Sequence, residues 1–180
     1  MTFFEETEAP TETPEISIWV EKYRPRSLED YVGNSKIKEK ARAWIRENDL
    51  PPLLFEGPPG TGKTTLAQIL TREIACDQLY INASDENSVN TIRDRVKQFA
   101  SSIAMQNLKI VVLDEFDYMS QNAQAALRNL METFSSTTRF ILTANFGEKI
   151  LPAIRSRTQS FRVEPPSKSE SAKQLVKILK

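Results

Sequence analysis

Histidine is absent from all 180 residues, and cysteine occurs once, at Cys76. The first absence removes Ser-His-Asp hydrolysis, His-ligated zinc and imidazole acid–base chemistry. The second leaves no internal disulfide and argues against a Cys-based metal site, which fits a reduced, intracellular setting. No apolar run approaches the roughly 20 residues that span a bilayer, so no membrane partner is expected. The chain starts acidic, without the basic-then-apolar pattern of a secretory signal, and none is expected. Any chemistry must therefore run on carboxylates, lysine, arginine, hydroxyls and a borrowed metal ion.

What remains reads as an ordinary globular composition, 39% hydrophobic and 27% charged. The length suits one well-cored domain, with room for part of a second. The net charge of zero hides an asymmetry: Glu5, Glu6, Glu8, Glu12 and Glu15 stand in the first 15 residues without a base. Removing them leaves 24 basic against 19 acidic residues, a balance of +5 that permits nucleic-acid binding. Residues 1–15, "MTFFEETEAPTETPE", read as a flexible acidic tail, with Phe3-Phe4 a docking hook or a disordered remnant. Order is expected from "ISIWVEKYRP" onward.

Periodicity then alternates. "SKIKEKARAWIREN" is a helix with Ile37, Ala41, Trp44 and Ile45 on its apolar side and Ser35 as its cap. "PLLFEG" is a strand and "KTTLAQILTREIA" a helix; "QLYINA" is a strand and "SVNTIRDRVKQFASS" a helix facing inward through Val89, Ile92, Val96 and Phe99. "LKIVVLDEFD", "TRFILTAN" and "SFRVEP" are further strands, with the helix "NAQAALRNLMETF" between the first two. Apolar strands alternating with helices predict an α/β fold, a parallel sheet flanked by helices. Ligands of such sheets sit at the carboxyl ends of the strands, where Gly57, Asp114 and Asn145 fall.

"GPPGTGKT" is a phosphate-binding loop between a predicted strand and a predicted helix, built from Gly57, Pro58, Pro59, Gly60, Thr61, Gly62, Lys63 and Thr64, with Thr65 next. Its glycines let backbone N–H groups turn toward phosphate oxygens, and the helix N-terminus adds its positive end. Lys63 supplies a point charge to the terminal phosphates of ATP, and the Thr64 hydroxyl can ligate Mg2+. "IVVLDEFD" closes a strand on paired acids: Asp114 to hold Mg2+, Glu115 to polarise the attacking water. Asp117 reads as a helix cap or loop charge. Asn145, at another strand's mouth, is placed to bridge the γ-phosphate and that water.

These motifs in this order resemble the AAA+ ATPases. "WVEKYRPRSLEDYVGN", "LLFEGPPGTGKTTLA", "INASDENSVNTIRDRVKQFA", "VVLDEFDYMSQNAQAALRNLMETFSSTTRFILTAN" and "IRSRTQSFRV" are more closely similar to the small ATPase subunits of sliding-clamp loaders. Those are the replication factor C small subunits of eukaryotes and archaea and their T-even-type phage counterparts. The resemblance covers roughly residues 17–180. It implies a P-loop AAA+ nucleotide-binding domain over residues 16–165 and the start of a helical lid domain over 166–180.

The same resemblance implies a pentameric spiral with other clamp-loader subunits that binds ATP, opens a sliding clamp and places it on primer–template DNA. It puts Tyr23, Arg24, Pro25, Val32 and Gly33 on the base and sugar side of the nucleotide, while Trp19 and Tyr23 packing the sheet edge stays an alternative. Within "SRT", where relatives carry Ser-Arg-Cys, it makes Arg157 an arginine finger reaching a neighbour's ATP, a structural salt bridge being the alternative. Arg155 is read as a surface charge. Gln124 and Arg128 match positions that couple neighbouring subunits and DNA, plain helix-surface polarity being the alternative. Arg93 and Lys97, four apart on one helix face, are candidates for DNA phosphates or for a solvated helix face, and Ile103 and Met105 for clamp contact or core. Phe116 in "DEFD", where many relatives have alanine, reads as subfamily drift, with a phage origin favoured.

The resemblance places the protein in a cytoplasm (a host's, if phage) or a nucleus. The chain ends inside what would be the first lid helix, so it is expected to bind ATP but to hydrolyse and assemble poorly alone. Two alternatives stay open: another AAA+ DNA-remodelling motor, and a subunit that binds ATP without hydrolysing it.

Overall fold

The structure, a computed structural model, describes residues 19–85, 89–106 and 108–179. The expected tail, Phe3-Phe4 and the side chain of Val89 lie outside the described residues. The chain order is α1 (Trp19–Lys22), α2 (Ser35–Glu47), β1 (Leu53–Glu56), α3 (Lys63–Glu73), β2 (Asp77–Asn82), α4 (Val89–Ser101) and β3 (Lys109–Asp114). It continues with α5 (Gln121–Thr133), β4 (Thr138–Ala144), α6 (Pro152–Arg155), β5 (Gln159–Arg162) and α7 (Lys168–Ile178). Short 3-10 turns cover Phe116–Tyr118 and Gly147–Lys149.

The five strands pair in parallel in the order β2-β3-β4-β1-β5. Period-two alternation explains the apolar runs of β1, β3 and β4, which lie inside the sheet and feed a core on each face. Leu53, Phe55, Ile110, Val112 and Ile141 join Leu66 and Leu70 of α3 and Trp44 of α2 in one core. Leu54, Val111, Leu113, Phe140 and Leu142 join Ile92 and Val96 of α4 and Leu127 of α5 in the other. With β1 between β4 and β5, and β3 between β2 and β4, the mouths of β1, β3 and β4 end side by side.

The cap of α2 differs from the expected one. Asn34, not Ser35, caps α2, in left-handed backbone at φ +52°. Its side chain leaves the cap and pairs with both backbone groups of Glu164, at 2.9 Å each. That pairing fastens α2 to the segment leading into α7. Asparagine tolerates this backbone better than serine does.

Lys109 is buried at the start of β3. Its ammonium donates to the carbonyls of Phe99 (2.8 Å), Ala100 (3.3 Å) and Ser102, and to the Ser102 hydroxyl (3.1 Å). It thereby satisfies the open carbonyls at the end of α4 with a cation, where the helix dipole favours one. Lys109→Met keeps the aliphatic stem but strands those oxygens. It is expected to lower unfolding free energy by about 2–4 kcal/mol, seen as a lower denaturant midpoint with unchanged slope. A loss of only a few tenths would mean that water replaces the ammonium.

Candidate functional site

Backbone geometry builds the phosphate loop. Gly57 leaves β1 at φ +149°, and a Cβ there would lie 2.4 Å from the Val163 carbonyl oxygen, so only glycine fits. Gly62 turns into α3 at φ +93°, with the Tyr31 ring 3.0 Å from where its Cβ would stand. Tyr31 also donates to the Thr61 carbonyl at 3.4 Å, and burial pushes its phenol up to about 12, which keeps it a donor. The Thr61 hydroxyl donates to the Pro58 carbonyl at 2.9 Å. Lys63 is buried, its ammonium 2.8 Å from the Gly57 carbonyl and 2.7 Å from that of Pro58. Burial lowers its pKa, while Asp117, Asp114 and Glu115 act to raise it.

At the next strand mouth Asp114 is buried and held by three hydroxyls. Thr64 donates to both of its oxygens, at 2.9 and 3.0 Å; Thr143 donates to Oδ1 and Tyr80 to Oδ2. Glu115 follows in left-handed backbone at φ +53°, its N–H donating to the Thr143 hydroxyl at 3.0 Å. A glutamate there is strained, and strain of this kind persists where the surroundings over-determine it. Asp117 is neither a cap nor a free loop charge: buried, it accepts the N–H groups of Asn145 and Phe146, each at 3.2 Å. It thus locks the turn after β3 to the end of β4.

A cavity of about 620 Å³ opens above these residues. Pro59, Gly60, Thr61, Gly62, Lys63, Thr64 and Thr65 form its floor, and Glu115, Thr143 and Asn145 one wall. Tyr23, Arg24, Pro25 and Val32 face them, and Trp19, Leu175, Ile178 and Leu179 close it from α1 and α7. Arg24 bonds Glu21 and reaches the Thr65 hydroxyl at 3.2 Å, so it ties its segment to the first turn of α3. Trp19 is exposed and meets Tyr23 edge-on at 5.8 Å instead of packing the sheet edge. Gly33 (φ +79°) stays off the cavity and backs onto Pro166. Gly57 and Pro58 border a neighbouring cleft with Arg155 and Phe146.

The donor set fits Mg2+. Thr64 and Asp114 bring hard oxygens together, and among the described residues no cluster of three or more His, Cys, Asp or Glu forms an all-protein metal cage. Magnesium is commonly held by one or two side chains with water and substrate phosphates as its other ligands.

The remaining candidates lie elsewhere. Arg157 follows α6 and does not line the cavity; its guanidinium meets Glu132 of α5 at 2.5 Å and the Ala153 carbonyl at 2.7 Å. Arg128 approaches the same carboxylate at 3.8 Å. Arg155 is not a surface charge: it binds Glu56 through both nitrogens, at 2.8 to 3.0 Å, and the Gly147 carbonyl at 2.8 Å. Gln124 is 1% exposed. Its amide donates to the Met119 and Lys149 carbonyls and accepts the Leu151 N–H, which leaves nothing to face a neighbouring chain.

Arg93 and Lys97 are exposed on α4, Arg93 beside Asp94 at 3.3 Å. Ile103 and Met105 are 95% and 92% exposed, which excludes the core reading. Their turn is held by the Asp77 carboxylate, which accepts the Met105 N–H at 2.7 Å. Tyr80 and Thr143 were not legible as site residues, since a strand tyrosine or threonine reads first as a β-former, and neither Tyr31 in its loop nor Glu132 on α5 stands in a phosphate-site motif.

Residues 53–165 match the family model described as ATPase family associated with various cellular activities (AAA). The chain is 47% identical over 165 residues to the replication factor C small subunit of Aeropyrum pernix, covering 88% of this chain and 51% of that protein. It is 44% identical over 170 residues to the replication factor C small subunit of Sulfolobus acidocaldarius, covering 91% and 52%. The chain thus spans about half the length of the curated relatives it matches. Among solved structures, the Thermotoga maritima RuvB Holliday junction branch migration motor superposes with TM-score 0.71 at 20% identity, over 85% of this chain and 52% of that one. At that identity the likeness shows the fold alone. A five-stranded parallel sheet, a phosphate loop at its mouth and a match over residues 53–165 make this chain a member of the AAA family of ATPases.

Proposed function

We propose that this chain is an ATP-binding and ATP-hydrolysing subunit of a sliding-clamp loader, working with Mg2+ and with an arginine finger supplied in trans. One observation carries the reading. Lys63, Thr64, Glu115 and Asn145 line a single cavity, while Arg157 stands outside it, at the far end of α6. Such a chain offers a site without a finger and a finger without a site, which suits head-to-tail assembly. The relatives named replication factor C small subunit give the reading its direction.

In this mechanism the loop N–H groups and Lys63 hold the phosphates of ATP. The Glu115 carboxylate accepts a proton as water attacks the γ-phosphorus, and Asn145 orients that water. The new P–O bond forms as the β–γ bridge breaks, with ADP and phosphate as products. Thr64 and Asp114 would hold Mg2+, which would supply positive charge against the phosphate oxygens. Arg157 of the neighbouring subunit neutralises the rest, worth about 10³–10⁵ in rate in comparable enzymes. Arg93 and Lys97 track DNA phosphates, Ile103 and Met105 dock on the clamp, and Arg128 acts at the subunit interface.

ATP turnover of the protein with its partner subunits should rise when primed DNA and clamp are added together, beyond either alone. Stimulation by DNA that ignores the clamp would point to another AAA+ DNA-remodelling motor. Tight ATP binding without turnover would make the chain a structural subunit.

A further inference from the structure

Buried carboxylates are usually answered by cations, yet Asp114 is held by hydroxyls. Thr64 faces both of its oxygens, Thr143 takes Oδ1, and the Tyr80 phenol takes Oδ2. The last comes from a different strand. In the β2–β3 register Tyr80 pairs with Val112 and Asn82 with Asp114, so Tyr80 and Asp114 project from the same face two residues apart along the strands. A phenol is long enough to cover that offset. Because β2 is the edge strand, the ring stays 41% exposed while its hydroxyl reaches inward.

We propose that Tyr80 is a positioning residue for the metal-holding carboxylate: its phenol fixes Asp114 Oδ2 as Thr143 fixes Oδ1, and so sets the affinity of the site for Mg2+ presented with ATP. With one donor on each oxygen and Thr64 facing both, the carboxylate plane cannot turn, and a cation at Thr64 and Asp114 meets a ligand already in place. A neutral donor suits this duty because it leaves the negative charge available to the cation. A tyrosine phenol ordinarily loses its proton only at about pH 10, so it is a donor throughout the neutral range. Hydrogen-bond partners of metal ligands commonly matter this much, about 10–100-fold in metal affinity. The half-exposed ring places Tyr80 at the low end. The inference rests on the reading of Thr64 and Asp114 as the Mg2+ residues.

The test needs no assembly, only the 180-residue chain. ATP is titrated calorimetrically in EDTA and at stepped Mg2+, and Mn2+ is followed by electron paramagnetic resonance with a non-hydrolysable ATP analogue. Tyr80→Phe keeps the ring and removes the donor; Tyr118→Phe removes an exposed phenol as a control. The expected result is an Mg2+ midpoint raised about tenfold in Tyr80→Phe, with ATP affinity in EDTA and the melting temperature unchanged. An unchanged midpoint overturns the inference, because the phenol then yields when the metal arrives. A lowered midpoint overturns it too, as the phenol would be competing with the cation. Equal weakening with and without Mg2+ would mean that Tyr80 supports the loop and not the metal. If the unaltered chain binds ATP without regard to Mg2+, the metal reading itself falls, and the inference with it.

Discussion

Arg157→Ala is expected to leave ATP binding by the altered chain unchanged and to lower turnover in the assembled complex by about 10³-fold or more. The two halves of that expectation come from different parts of the molecule. Arg157 does not line its own cavity, so its loss removes nothing from its own P-loop. What it gives up locally is an exposed hydrogen bond to the Ala153 carbonyl and an ion pair with Glu132 whose partners are 40% and 45% exposed. Pairs exposed to that degree contribute about 0–1 kcal/mol. Withdrawing the guanidinium from Glu132 is therefore cheap beside the 4 kcal/mol or so that a 10³-fold rate effect represents. A purely structural salt bridge predicts the reverse pattern, a slightly lower melting temperature and near-normal turnover. Single-turnover hydrolysis and thermal unfolding on the same preparation separate the two. Turnover within a few-fold of the unaltered protein, with assembly intact, would remove Arg157 from the chemistry.

The parts legible in the sequence were those written in short-range spacing. The phosphate loop is one run of eight residues, Gly57 to Thr64, and β3 announces itself by continuous apolar residues ending on Asp114-Glu115. What stayed hidden was written across long separations. Arg155 finds Glu56 over 99 positions, Asn34 finds Glu164 over 130, and Tyr80 reaches Asp114 over 34. Periodicity carries no trace of such pairs. Gln124 shows the converse error: on a helix surface pattern it reads as an exposed amide, yet it is buried and bonded to Met119, to Lys149 of the turn Gly147–Lys149 and to Leu151. Lys109 was passed over as the polar start of a strand, although the end of α4 needs a cation there.

Glu115→Gln is the second large effect, and it isolates charge from shape. Glutamine keeps the length of the side chain and the strained backbone at φ +53°, which the Thr143 hydroxyl holds through the residue's N–H and not through its carboxylate. ATP binding should therefore persist, while loss of the proton acceptor lowers hydrolysis by about 10²–10⁴-fold. On its own that result identifies a base, and any P-loop ATPase reading would survive it. The discriminating step is to mix the Glu115→Gln chain with the Arg157→Ala chain, in the presence of partner subunits, clamp and primed DNA. Each is expected to be nearly inactive alone. In the mixture some interfaces pair an intact Glu115 from one chain with an intact Arg157 from the next, and turnover should return at those. Return of activity requires that the two residues act on one ATP from different chains, because neither chain contains both. If the mixture stays inactive while native mass spectrometry shows that both variants have assembled, Arg157 is not supplied in trans, and the shared-site reading of this fold fails at its central point.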